Sequence, residues 1–224
     1  MQVFRGSEAH IGVENNTSAH ALCKLFVRAC GHAPMRSISG PFFPSFFNPF
    51  FNPIFTMSNT PMMATCDLCD AHKNDDSGAF RVLPPVFRDF GAVRRFVGPV
   101  VTVKCFEDNT PVKQAVESAG EGRVLVVDGG GSLRRALLGG NLGAAAARNG
   151  WAGVVIDGCV RDVAELAVCN VGIRALACIP LPTERRTEGL RDLAVQIQGV
   201  WVRPGDWLYA DEDGIVVSNV QLTG

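Results

Sequence analysis

The sequence predicts an α/β domain with a β-rich C-terminal part, and three observations carry that prediction. From Met57 onward, strand-type and helix-type segments alternate. Two of the strand-type segments, residues 123–127 and 153–157, are continuous apolar runs of the kind buried on both faces of a parallel sheet. Beyond Val195 the strands follow one another through a Pro204-Gly205-Asp206 turn and an Asp213-Gly214 turn, with no helix between them.

The first strand-type segments, 81–87 and 99–106, are β-branched and apolar, and residues 111–118 form a short helix pattern. Strand 123–127 runs into Asp128-Gly129-Gly130-Gly131, which reads as a turn, and Ser132 is placed to cap a helix over SLRRALL, residues 132–138. A second helix is expected over 142–149, with Asn141 as N-cap and Gly150 as its stop. Strand 153–157, helix 162–168 and strand 173–179 follow. Strands 195–202, 207–210 and 215–218 complete the chain.

Residues 1–56 have a different composition. They hold nine of the 14 Phe, only Glu8 and Glu14 as acids, and no Asp. The run PFFPSFFNPFFNPIF (41–55) has too many prolines for a helix, and no apolar run reaches the roughly 18 residues that cross a bilayer. Three readings are open: a targeting extension, since transit peptides are poor in acids; a tail that binds a partner through Phe; or a poorly ordered extension ahead of a working protein that begins at Met57. The expected division is therefore an extension over 1–56 and one domain over 57–224. The expected location is the cytoplasm, or an organelle if 1–56 is a transit peptide.

A 224-residue chain has room for one domain with a substantial core. Its net charge of −1, with Lys and Arg dispersed, gives no footprint for nucleic acid or an anionic membrane. The eight Cys are scattered, as reduced thiols are, and do not form a disulfide framework. Cys66 and Cys69 make a single C-x-x-C with His72 nearby, which is half of a zinc site. All four His lie at or before position 72, so chemistry placed later in the chain proceeds without histidine from that region.

Two short stretches carry the candidate chemistry. Gly139, Gly140, Asn141 and Leu142 open a predicted helix, where free N–H groups and the helix dipole suit a carboxylate. They serve equally as a spacer between two helices. Arg161 and Asp162 follow an apolar strand, and ligands of α/β sheets sit beyond the carboxyl ends of strands. Arg offers a planar fork of donors to a keto acid, and Asp is a hard oxygen ligand for Mg²⁺ or Mn²⁺. The alternatives are that Asp162, with Glu165 three residues on, only caps a helix, and that Arg161 is a surface cation.

The segment from Val124 to Leu166, together with DLCDAH (67–72), VLPPVFRDFG (82–91), GPVVTVKCFEDN (98–109) and RPGDWLYADEDGIVVS (203–218), resembles the RraA-like family. That family includes regulators of ribonuclease E and metal-dependent 4-hydroxy-4-methyl-2-oxoglutarate aldolases. The resemblance covers residues 64–218 and does not reach 1–56. It implies a compact swivelling-type α/β/β/α sandwich assembled as a homotrimer, with sites between subunits. It also implies that Gly139, Gly140, Asn141 and Leu142 hold the substrate through backbone amides, that Arg161 binds the keto acid, and that Asp162 ligates a divalent metal. Glu165 fills the acidic position that the family pattern places after that Asp. Some family aldolases carry a carboxylate in the loop around position 140, and this chain has none there.

The function these residues imply is retro-aldol cleavage of a 4-hydroxy-2-oxo dicarboxylic acid to pyruvate, with oxaloacetate decarboxylation through the same enolate. The competing function is a non-catalytic regulator that binds a ribonuclease. A methyltransferase reading of VVDGGGS fails to match G-x-G-x-x-G.

Overall fold

The computed structural model describes residues 63–222. The extension expected over 1–56 lies outside the described residues. In chain order the elements are α1 (Thr65–His72), β1 (Phe80–Val82), β2 (Arg88–Asp89), β3 (Phe96–Lys104), α2 (Thr110–Val116), β4 (Val124–Leu138), α3 (Gly140–Arg148), β5 (Gly153–Val160), α4 (Val163–Leu166), β6 (Gly172–Cys178), β7 (Leu190–Arg191), β8 (Val195–Ile197), β9 (Val200–Val202), β10 (Trp207–Ala210) and β11 (Ile215–Ser218). The mixed α/β class expected from the sequence holds, with a dominant sheet and few helices.

Strands β3, β4, β5 and β6 run parallel and in sequence order. Helices α2, α3 and α4 cover one face of them. Val112, Val116, Ala145, Ala146 and Leu166 meet Val103, Leu125, Val127, Ile156 and Ile173 there. The antiparallel strands β10, β11 and β1 continue the sheet from β3. Their side chains Leu208, Ala210, Ile215 and Val217 share a second core with Val100, Val126 and Val155. The β8–β9 hairpin contributes Val195, Ile197 and Val202 to that core. Helix α1 closes the outer face, where Leu68 packs on Tyr209 and Val216. The order helix, antiparallel strands, parallel strands, helices follows from alternation along β10: Leu208 and Ala210 point to one core and Tyr209 to the other.

Three local expectations are corrected. Residues 132–138 are strand, not helix: β4 runs for 15 residues. Gly130 and Gly131 adopt φ of 66° and 67°, which kinks the strand and shifts its register. Ser132, Ala136 and Leu138 then pair with Gly158, Cys159 and Val160, so hydrogen bonding to β5 overrides the helical propensity of SLRRALL. Segment 195–202 is a hairpin, turning at Gln198 and Gly199, both at positive φ. In 81–87 the strand stops at Val82, and Pro84 and Pro85 lie beyond it.

Candidate active site

The last rung between β4 and β5 pairs Leu138 with Val160, and the Arg161 N–H donates to the Leu138 carbonyl at 2.9 Å. The residues that follow each strand therefore emerge side by side at the carboxyl edge of the sheet. This brings the two candidate stretches together, although the whole α3 crossover separates them in sequence. Gly139 and Gly140 separate a strand from a helix, so the spacer-between-helices reading is overturned.

Helix α3 starts two residues earlier than expected. Gly139 is its N-cap, and Asn141 lies inside the first turn. The Leu142 and Gly143 N–H groups both donate to the Gly139 carbonyl at 3.0 Å, and the Gly140 N–H donates to Asp162 Oδ2 at 3.2 Å. Of these first-turn amides, the Asn141 N–H is without a protein acceptor among the described residues. The amides of this loop left available to an anion among the described residues are thus those of Gly139 and Asn141.

Asp162 sits in the left-handed region, φ 56° and ψ 46°, an uncommon place for a residue other than Gly. That conformation turns its carboxylate away from its own helix. It makes no side-chain cap bond on α4, where the Glu165 N–H is taken by the Asp162 backbone carbonyl at 2.9 Å. The capping-box alternative is therefore overturned. The carboxylate instead faces the start of α3 and lies 3.4 Å from Arg161 Nε, with both side chains about two-fifths exposed. An added Cβ at Gly139 would press on this same pair. One at Gly140 would collide with the Glu165 carboxylate, with its Cβ 2.7 Å away. Gly140 is thus required by close approach of Glu165 on α4, while Gly139 leaves room for the Arg161 and Asp162 side chains.

These groups open into a cleft of about 380 Å³. Its walls come from α2 (Asn109, Lys113, Glu117), from the start and flank of α3 (Asn141, Arg148) and from a loop bearing Thr183 and Arg185. The Asn109 side-chain oxygen is buried without a hydrogen-bond partner. Lys113 pairs with Glu117 at 2.6 Å. Asp108, fully buried, ties two walls together: Oδ1 accepts from the Thr110 N–H at 2.8 Å, and Oδ2 accepts from the Arg186 and Glu188 N–H groups at 2.9 and 2.8 Å.

Burial by itself raises the Asp108 carboxyl, but the donations from Glu188, Thr110 and Arg186 outweigh it and hold the group at about 2. Because the folded value is depressed, the stabilisation is complete above the ordinary value of 3.8 and is lost as pH falls from there to about 2. The expected size is on the order of 2 kcal/mol. Urea midpoints measured across that window should fall more steeply for the wild type than for Asp108→Asn. Parallel slopes would remove Asp108 from this role.

The buried thiols Cys105 and Cys159 are disfavoured as thiolates. Burial pushes the Cys105 thiol up to about 12 and also raises Cys159. Cys66, Cys69 and His72 share α1 without forming a metal site, and the His72 ring stacks on Phe80 at 4.9 Å. Among the described residues no group of three or more His, Cys, Asp and Glu side chains is arranged around a metal. Asp162 fits Mg²⁺ or Mn²⁺, which bind through one or two carboxylates and keep water: its Oδ1 makes no hydrogen bond among the described residues and stands at the cleft.

Sequence reasoning missed Asn109, Lys113, Arg148 and Arg185. A signal existed for Arg148. Asn141, Ala145 and Arg148 recur at i, i+4 and i+7 and so share one helix face. For Arg185, the polarity of residues 180–189 is compatible with an entrance wall but does not demand one, and only the fold brings the loop to this edge.

The family model described as RraA-like, Aldolase/RraA, matches residues 65–217. A relative from Albidiferax ferrireducens, named "Putative 4-hydroxy-4-methyl-2-oxoglutarate aldolase", is 79% identical over 171 residues, covering 73% of this chain and 99% of that protein. A relative of the same name from Burkholderia mallei is 58% identical over 162 residues, covering 72% and 98%. Among solved structures, the RNA-processing inhibitor RraA from Thermus thermophilis is 44% identical with a TM-score of 0.68, over 72% of this chain and 96% of that one. A structure titled S-adenosylmethionine: 2-dimethylmenaquinone methyltransferase, from Geobacillus kaustophilus, is 42% identical with a TM-score of 0.67, over 71% and 97%. In this chain the glycine run of VVDGGGS lies inside β4 and not between a strand and a helix, so it does not build a nucleotide-binding turn. The chain belongs to the RraA-like family.

Proposed function

We propose that this chain is a divalent-metal-dependent aldolase that cleaves 4-hydroxy-4-methyl-2-oxoglutarate-type keto acids to pyruvate, with oxaloacetate decarboxylation as a second reaction. The observation that carries this reading is the convergence of Arg161, Asp162 and the free Asn141 N–H at the adjoining ends of β4 and β5. The names of the relatives support the same activity.

Arg161 and the Asn141 N–H bind the carboxylate and 2-oxo oxygen of the substrate. Water in the cleft accepts the proton of the 4-hydroxyl. The C3–C4 electron pair then passes to C3 and onto the 2-oxo oxygen, C4 becomes a carbonyl, and protonation of C3 completes pyruvate. Positive groups already facing that oxygen lower the barrier, because they need not reorganise as charge develops. Asp162 would hold a divalent cation, which would supply further positive charge at that oxygen.

The test is pyruvate release from the aldol substrate and from oxaloacetate, with Mg²⁺ and with chelator. Metal-dependent release is expected, and equal rates would overturn the metal's part. We further infer a homotrimer, to be checked by light scattering. The likeness to an RNA-processing inhibitor favours one second reading, a regulator that binds a ribonuclease. Inhibition of ribonuclease by protein that makes no pyruvate would establish it in place of the aldolase.

A further inference from the structure

Four cationic side chains line the cleft: Lys113, Arg148, Arg161 and Arg185. Two carboxylates accompany them, Glu117 and Asp162, and these already pair with Lys113 and Arg161. Arg148 and Arg185 make no ion pair among the described residues. The cleft therefore carries two unneutralised guanidinium groups besides the Arg161 end.

The loop bearing Arg185 is fixed on both sides. Arg135 binds the Pro182 carbonyl at 3.0 Å and Glu184 at 3.2 Å, and Asp108 takes the Arg186 and Glu188 N–H groups. Its backbone is anchored while its guanidinium is left unpaired. Arg148 ends α3, the helix whose first turn carries the Asn141 N–H. That helix is about 13 Å long, and helical side chains lean back toward the N terminus, so Arg148 reaches toward the Gly140 turn. Arg148 and Arg185 thus add two unpaired cations to the lining of the cleft that already holds Arg161 and Asn141.

We infer that Arg148 and Arg185 bind the second carboxylate of the substrate, and so select dicarboxylic over monocarboxylic 2-oxo acids. This rests on the aldolase reading and deepens it. The reaction described above uses groups at the first carboxyl end only. The second carboxylate leaves with the C4 fragment, so binding it contributes to selection and orientation and not to stabilising the enolate.

The matched probes are 2-oxoglutarate and 2-oxopentanoate, which share a five-carbon skeleton and differ in the distal carboxylate. Titration calorimetry of the full chain with Mg²⁺ should show about tenfold tighter binding of 2-oxoglutarate. In the Arg148→Ala/Arg185→Ala double variant that preference should vanish through weaker 2-oxoglutarate binding alone. Affinity for 2-oxopentanoate should hold within about twofold. Arg161→Ala should weaken both ligands. Both arginines are exposed, so unchanged thermal unfolding should confirm the fold of the double variant, and Arg148→Lys should restore part of the preference.

Retention of the preference by the double variant, or equal loss for both ligands, would overturn the inference. Pyruvate release by a wild type that does not distinguish the two probes would overturn it while leaving the aldolase intact. Absence of both binding and pyruvate release would overturn both.

Discussion

An Asp162→Asn variant is expected to fold like the wild type and to release pyruvate about 10²- to 10³-fold more slowly. The fold survives because Asn tolerates the left-handed backbone as well as Asp does, and it keeps an oxygen to accept the Gly140 N–H. The ion pair with Arg161 that is lost is about two-fifths exposed, and such pairs contribute little to stability. Activity falls because an amide oxygen is a poor ligand for a hard cation and brings no charge. The comparison is kcat with saturating Mg²⁺ alongside thermal unfolding. A variant with wild-type turnover would return Asp162 to a purely architectural role at the start of α3. A variant that fails to fold would instead show that the carboxylate charge beside Arg161 holds the α3 and α4 ends together.

The largest stability effect is expected at Phe96. Gly153 and Gly172 are register partners on β5 and β6, and the Phe96 ring lies over both. A Cβ on Gly153 would strike the Cδ2–Cε2 side of the ring, and one on Gly172 the Cδ1–Cε1 side. Phe96→Ala should therefore cost about 3–5 kcal/mol, since it empties a site floored by backbone that has no side chains with which to collapse. Gly172→Ala should cost about 1–3 kcal/mol by overpacking. In a Phe96→Ala background the Gly172→Ala cost should largely disappear, because its clash partner is gone. Urea unfolding of the four proteins closes the cycle, and additive effects would refute direct packing of the ring on Gly172.

Both predictions concern positions that the sequence treated unequally. Arg161 and Asp162 stood out because an apolar strand ended just before them, and strand ends are where α/β sheets present ligands. Phe96 lay outside every predicted strand, and a glycine inside an apolar run says only that something approaches closely, without naming it. The strand content of 153–157, 207–210 and 215–218 was legible because each is a short apolar run bounded by turn residues, and each is buried almost throughout. SLRRALL misled because its local propensity is helical, and the competing hydrogen bonds come from β5, some 20 residues downstream. Arg148 and Arg185 belong to elements that meet only after the sheet forms.

The sequence by itself determined the alternation of strand and helix, and its resemblance to the RraA-like family marked out two candidate stretches that present amide, guanidinium and carboxylate groups. Periodicity and side-chain chemistry are local, so both are legible along the chain. The tertiary structure decided how those groups combine. Register placed Gly139 beside Arg161, and a left-handed backbone at Asp162 aimed its carboxylate across to α3 instead of along its own helix. Packing of the 182–185 loop against β4 supplied the second wall. Each depends on hydrogen bonds and burial between residues far apart in the chain, whose free energy exists only when the core is assembled.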